Sequence, residues 1–159
     1  RGTLKKDSNL KEFHEFIKSC NDVGALTRQE AVSMIPPLFM DVKADHAVLD
    51  LCAAPGSKTT QLLEAMHLDA GIGNLPAGVV IANEIDDKRC YMLTHQANRL
   101  SSPSYICTNH PAQFFPNVYL PHHPEDNPKG EKPFLFDRVL ADVPCSGDGT
   151  LRKNFDLWG

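Results

Sequence analysis

Ala47-Val48-Leu49-Asp50-Leu51, followed at once by Cys52-Ala53-Ala54-Pro55-Gly56-Ser57-Lys58, decides the fold class of this chain. The first five residues are almost wholly apolar and do not alternate with polar ones, which marks a strand buried on both faces. Ala54-Pro55-Gly56-Ser57 then makes a turn, and Lys58 to Met66 reads as a helix. A second apolar run, Val79-Val80-Ile81-Ala82, ends at Asn83-Glu84, and Asp86 can cap a long helix reaching about Leu100. Tyr105-Ile106-Cys107 supplies a third short strand, and Arg138-Val139-Leu140-Ala141 a fourth that runs into Asp142-Val143-Pro144-Cys145. Strands alternating with helices imply a parallel, doubly wound α/β sheet.

Ahead of this rhythm lies a helical leader, residues 1 to 45. Leu10, Phe13, Phe16 and Ile17 recur at three- and four-residue spacing, one face of a helix over Asn9 to Lys18. Thr27-Arg28-Gln29-Glu30 has the pattern of a capping box before a short helix, Ala31 to Ile35, which Pro36-Pro37 would end. Residues 46 to 159 form the sheet-bearing part. Within it, residues 111 to 133 carry six prolines, His122-His123 and mixed charge, which suits an exposed insertion better than core. No internal repeat is present.

Composition narrows the function classes. With 159 residues, 42% of them hydrophobic, the chain can build one buried core. No stretch approaches the roughly 20 consecutive apolar residues of a membrane span, and the first twenty residues are too polar for a secretory signal. A soluble intracellular protein is expected. The five cysteines, Cys20, Cys52, Cys90, Cys107 and Cys145, lie far apart with no C-x-x-C pair, so free thiols are expected and no metal site. The net charge of −4 gives no global attraction for a polyanion, which argues weakly against RNA. Lys88-Arg89, Arg99, Arg138 and Arg152-Lys153 could line a groove, although solvated helix faces are the plainer reading. The chain opens on Arg1 and stops at Asp156-Leu157-Trp158-Gly159 without an ending signal, and is read as part of a longer protein.

Ligands of open parallel sheets settle outside the carboxyl ends of the strands, where helix N-termini point free amides. Residues 52 to 58 occupy that place. Their small side chains and Gly56 would let a ligand approach the backbone, and the following helix dipole favours an anionic group. A Walker loop fails, because Cys52 and Ser57 stand where it needs glycines. A dinucleotide fingerprint needs three glycines and this turn has Gly56 alone, so a nucleotide-dependent oxidoreductase ranks far behind. Glu84, closing the second strand, can accept hydrogen bonds from both ribose hydroxyls of a nucleoside, where an isolated Glu would be read as a solvated turn residue. Asp50 is ambiguous, since it can simply tie the turn together.

Residues 48 to 60 with residues 139 to 150 resemble the motifs of the Sun-type RNA (cytosine-5) methyltransferases. The resemblance rests on Cys52-Ala53-Ala54-Pro55-Gly56-Ser57-Lys58-Thr59 and on Asp142-Val143-Pro144-Cys145-Ser146-Gly147-Asp148-Gly149-Thr150. Ser33-Met34-Ile35-Pro36-Pro37, the stretch Asn83 to Tyr91, and Arg99-Leu100-Ser101-Ser102-Pro103 are similar to the eukaryotic tRNA-modifying branch. The resemblance implies a Rossmann-like, seven-stranded S-adenosyl-L-methionine-dependent fold, with strands one to four in this chain. It implies that residues 52 to 58 hold the cofactor's methionine portion, that Glu84 binds its ribose, and that Asp142 lies between cofactor and cytosine. It further implies RNA, in particular tRNA, as partner and a nuclear location; a monomer is expected. One position departs: where the family has Asn-His-Asp after the third strand, its Asp contacting adenine, this chain has Asn109-His110-Pro111. Adenine recognition would fall to the backbone, to Asn109 or to a shifted residue.

Carbon 5 of cytosine is a poor nucleophile, so such an enzyme first adds a thiolate to carbon 6. Chemistry alone nominates Cys145, at a strand end beside Asp142. The family implies instead that Cys145 assists product release, the nucleophile being a second cysteine in a Thr-Cys motif beyond Gly159. Asp142 would hydrogen-bond a protonated ring nitrogen of the base, or else cap a helix over residues 144 to 150. Gly147 and Gly149 would let the backbone pass the flipped base, and Arg152 and Lys153 would meet phosphate or solvent. The rival from another class is a non-catalytic RNA-binding module that keeps the fold, favoured by Pro111 and the acidic balance.

Overall fold

The computed structural model describes residues 7 to 119 and 133 to 147. Residues 120 to 132 of the expected insertion, and Asp148, Gly149, Arg152 and Lys153, lie outside the described residues.

Four strands, β1 (Ala47–Asp50), β2 (Val79–Asn83), β3 (Tyr105–Thr108) and β4 (Arg138–Leu140), form one parallel sheet in the order β3-β2-β1-β4. β1 lies between β2 and β4, and all four of its residues are buried, as its unbroken apolar run requires. Two helices cross between the first strands, α3 (Ser57–Ala70) and α4 (Asp87–Asn98). Right-handed crossovers stepping the same way from β1 to β2 to β3 place both on one face, where they touch each other. β4 then enters on the other side of β1, so the winding reverses there. That reversal is the crevice in which doubly wound sheets bind ligands.

The covered face holds the core: Val48, Val80 and Leu140 from the strands, Leu62, Leu63 and Met66 from α3, and Val42. Leu62, Leu63 and Met66 are fully buried, and trimming any one to alanine costs about 2–5 kcal/mol. A second cluster of Ala53, Ala54, Ala82 and Leu93 lies at the carboxyl end of the sheet, and its small residues let α4 approach the turn after β1. On the opposite face Ile106, Ile81, Leu49 and Val139 share one register row, whose two outer members are about half exposed.

The leader contains α1 (Ser8–Asp22) and α2 (Ala31–Leu38). Asp7 caps α1 through the amides of Asn9 and Leu10. The chain then turns at Gly24, with φ +78°, where a Cβ would lie 2.3 Å from the Arg99 carbonyl oxygen at the end of α4. Two expectations for α2 are corrected. The capping box does not form: Glu30 is the N-cap residue and its side chain makes no capping bond. Nor do Pro36 and Pro37 end the helix, because both lie inside it. Their fixed φ suits a helical turn, and the helix closes with bonds from the Phe39 amide to the Pro36 carbonyl and from the Met40 amide to the Pro37 carbonyl. α3 also runs a turn further than Met66, and Asp86 caps α4 by accepting from the Arg89 amide.

Candidate functional site

The turn after β1 is built from three local devices. The Ala54-Pro55 peptide is cis, Gly56 takes φ +106°, and the Ala53 amide donates to the Asn83 carbonyl of β2 at 2.8 Å. Gly56 is also the N-cap of α3, and no side chain caps that helix. Its amide end is therefore left for an anionic group. A Cβ at Gly56 would meet Leu93 at 3.0 Å and Gln96 at 3.4 Å, both on α4, so the missing side chain also serves helix packing.

Asp50 closes the base of the turn. It is 1% exposed and accepts the Thr59 hydroxyl at 2.7 Å, which settles its ambiguity in favour of a tie between β1 and α3. Burial, opposed by the Thr59 bond and the Lys58 charge, pushes its pKa up from 3.8 to about 6. A carboxyl with a raised folded pKa holds its proton more tightly when folded, so the contribution of Asp50 to stability is full below about pH 4 and is lost as pH rises to about 6. The loss amounts to about 3 kcal/mol, at roughly 1.4 kcal/mol per pH unit. Denaturant midpoints followed across that range should fall relative to those of Asp50→Asn as pH rises. Equal slopes would mean that Asp50 is ionised at little cost.

Two cavities open at the carboxyl end of the sheet, and Cys52 lines both. The smaller, about 250 Å³, is walled by Arg28, Gln29, Glu30 and Ser33 of the leader, by Cys52 to Pro55, Ser57 and Lys58 of the turn, and by Asp142 after β4. Within it the Lys58 ammonium lies 2.7 Å from Asp142 Oδ2 and donates to Ser33 Oγ at 2.8 Å. The larger, about 580 Å³, is lined by Leu51, Cys52, Asn83, Ile85, Ala112, Gln113, Val143 and Pro144. Ala112 and Gln113 belong to a short 3-10 turn, Ala112–Phe114, directly after Pro111. The Cys52 thiol is pushed up from its ordinary value chiefly by burial and then by the charges of Glu84 and Asp50.

The family model for the 16S rRNA methyltransferase RsmB/F matches residues 37–158. The chain belongs to the RsmB/F methyltransferase family. A tRNA (cytosine(34)-C(5))-methyltransferase of Drosophila melanogaster is 50% identical over 99% of the chain and 21% of its own length. A multisite-specific tRNA:(cytosine-C(5))-methyltransferase of Schizosaccharomyces pombe is 51% identical over 99% of the chain and 25% of its own length. Among solved structures, a methyltransferase homolog protein from Pyrococcus horikoshii superposes with a TM-score of 0.56 at 31% identity, covering 80% of this chain and 35% of that one. The chain thus spans about a quarter or less of the length of these curated relatives.

In this RsmB/F chain the residues singled out from sequence are only partly gathered. Cys52, Ala53, Ala54, Pro55, Ser57, Lys58 and Asp142 meet in the smaller cavity, while Gly56 lines neither. Glu84 is 2% exposed and lines neither cavity. Its Oε1 accepts the Asp86 amide at 3.1 Å, while Oε2 has no hydrogen-bond partner, the Arg89 guanidinium standing 3.6 Å away. Cys145 is exposed and lines neither cavity, although Val143 and Pro144 line the larger. Asn109 spends its amide on the carbonyls of Glu84 and Ile85, at 2.9 and 3.2 Å, so it secures the loop after β2. Asn83 likewise spans the carbonyls of Leu51 and His110 at 3.0 and 2.7 Å.

Sequence reasoning missed the leader's share of the site. In the sequence Ser33 falls within a family-like run, and Arg28, Gln29 and Glu30 fall within a capping pattern. Arg89, read as a solvated helix residue, instead donates to the Ala54 carbonyl at 2.6 Å and so ties α4 to the turn. Gln113 carried no signal beyond its place two residues after the departing Pro111. Among the described residues no helix is long and apolar enough to cross a membrane, and no group of three or more His, Cys, Asp or Glu could hold a metal.

Proposed function

We propose that the protein methylates carbon 5 of cytosine in RNA, with tRNA as the substrate class. The observation that carries this reading is the pair of cavities sharing Cys52 at the winding reversal, one largely apolar and one holding the Lys58–Asp142 ion pair. Such a pair suits a nucleoside cofactor on one side and a polar base on the other. When bound, S-adenosyl-L-methionine would supply an electrophilic methyl group.

The residues present fit that cofactor. The buried Glu84 Oε2 lacks a hydrogen-bond partner and is an acceptor for a ribose hydroxyl. The uncapped amide end of α3 suits a carboxylate, and residues 52 to 58 flank it. The larger cavity has the volume of a small-molecule site, and Gln113 offers it an amide that can both donate to and accept from a purine edge. Gln113 is thus the shifted residue that takes over adenine recognition where Pro111 has no side-chain acceptor.

On the substrate side, Asp142 holds a proton at cytosine N3 and so stabilises charge as a thiolate adds to carbon 6, while Lys58 keeps the carboxylate oriented. Cys145 assists release of the methylated base. Residues 46 to 159 act as the first half of the catalytic domain, with residues 1 to 45 packed on it. A monomeric protein, nuclear on the resemblance to the tRNA-modifying branch, completes the reading.

Two measurements test this. A protein carrying this chain together with the family's later Thr-Cys motif should transfer labelled methyl groups to tRNA transcripts, recovered as 5-methylcytosine by nucleoside mass spectrometry. Binding of both cofactor and tRNA without transfer would leave the non-catalytic RNA-binding module standing. Calorimetric titration of S-adenosylhomocysteine should show Gln113→Ala binding about tenfold more weakly, the loss of one useful hydrogen bond. An unchanged affinity would remove Gln113 from the site.

A further inference from the structure

Ser33 stands in the first turn of α2, one turn before Pro37. Ser33 Oγ accepts from Gln29 Nε2 at 3.1 Å and from Lys58 Nζ at 2.8 Å, and the same ammonium reaches Asp142 Oδ2 at 2.7 Å. Gln29, Ser33, Lys58 and Asp142 therefore form one continuous chain along the wall of the smaller cavity. It joins the loop before α2, α2 itself, the first turn of α3 and the segment after β4.

We propose that Ser33 is a positioning residue for the methylation reaction, anchoring the Lys58 ammonium so that it holds the Asp142 carboxylate toward the base. This rests on the function proposed above. Lysine carries its charge on a flexible four-carbon stem with three donors, so one acidic partner leaves its direction undetermined. Asp142 is 57% exposed and is not held by burial, whereas Lys58 is 17% exposed and sits between two fixed elements. The second acceptor on Ser33 selects a single lysine rotamer, and Gln29 in turn fixes the hydroxyl. The leader thereby becomes part of the catalytic site although none of its residues performs the chemistry.

The test uses the same methylating protein with Ser33→Ala, Ser33→Thr and, in case Ser33→Ala does not fold, Gln29→Leu. Ser33→Ala should lower kcat on the order of tenfold, as small misplacements of a reacting group do, without changing KM for the cofactor. Ser33→Thr, which keeps the hydroxyl, should restore the rate, and Gln29→Leu should give a smaller loss in kcat alone. A second readout does not depend on methylation: acetylation of Lys58 by an N-hydroxysuccinimide ester, followed by peptide mass spectrometry against exposed Lys88. That rate should rise severalfold in Ser33→Ala and return in Ser33→Thr. If methylation is absent from the wild type, the function proposed above fails while the acetylation rates still report on the chain of bonds. Unchanged Lys58 reactivity in a folded Ser33→Ala, or a Ser33→Thr as impaired as Ser33→Ala, would overturn the proposal.

Discussion

Asp142→Ala is expected to lower cytosine methylation by roughly 10²- to 10⁴-fold, the range for removing a positioned acid–base group. The reason lies in where Asp142 stands. It follows β4 directly, on the far side of the winding reversal from the turn after β1, and its carboxylate is tied across that crevice to Lys58 at 2.7 Å. On the proposed function, removing it would delete the acceptor for a proton at cytosine N3, and it leaves the lysine charge without its acidic partner. Affinity for S-adenosylhomocysteine should fall far less, since the larger cavity and Glu84 are untouched. The check is single-turnover methyl transfer beside calorimetry on the same preparation. Parallel losses in both would make Asp142 a cofactor ligand and nothing more.

Cys145→Ala is expected to stall the reaction after its first half, with a covalent protein–RNA complex accumulating as a slow band that survives denaturing electrophoresis. Cys145 is exposed and lines neither cavity, while Val143 and Pro144 just before it line the larger one. A residue so placed is free to approach RNA after methyl transfer. The experiment belongs in a protein that also carries the family's later Thr-Cys cysteine. Accumulated adduct with little turnover supports a release role. Loss of activity with no adduct at all would instead make Cys145 the nucleophile, as chemistry alone suggests.

These expectations depend on residues of different legibility. The four strands, their order of appearance and the turn at residues 52 to 58 follow from local pattern, because a strand buried on both faces needs an unbroken apolar run and a tight turn needs Pro and Gly. Asp86 as a cap for α4 was equally readable, since its side chain bonds an amide three residues away. The signals that misled were local too. Thr27 to Glu30 match a capping box and Pro36-Pro37 match a helix stop, yet packing of α2 on α3, through Lys58 to Ser33 and Gln61 to the Met34 carbonyl, carried the helix through both prolines. The packing of Gly56 against Leu93 and Gln96 of α4 was not legible, because those residues lie far along the chain.

By itself the sequence determined the class of fold, the position of the turn at the carboxyl end of the first strand and, through its two motifs, the methyltransferase family. Apolar period, turn chemistry and short motifs all act over a few residues and so can be read along the chain. Only the tertiary structure decided that Ser33 reaches Lys58, that Lys58 pairs with Asp142 across 84 positions of sequence, and that Gln113 joins Asn83 around one cavity. Those contacts exist because parallel strands gather their carboxyl ends along one edge, bringing together loops whose separation in sequence says nothing of their distance in space.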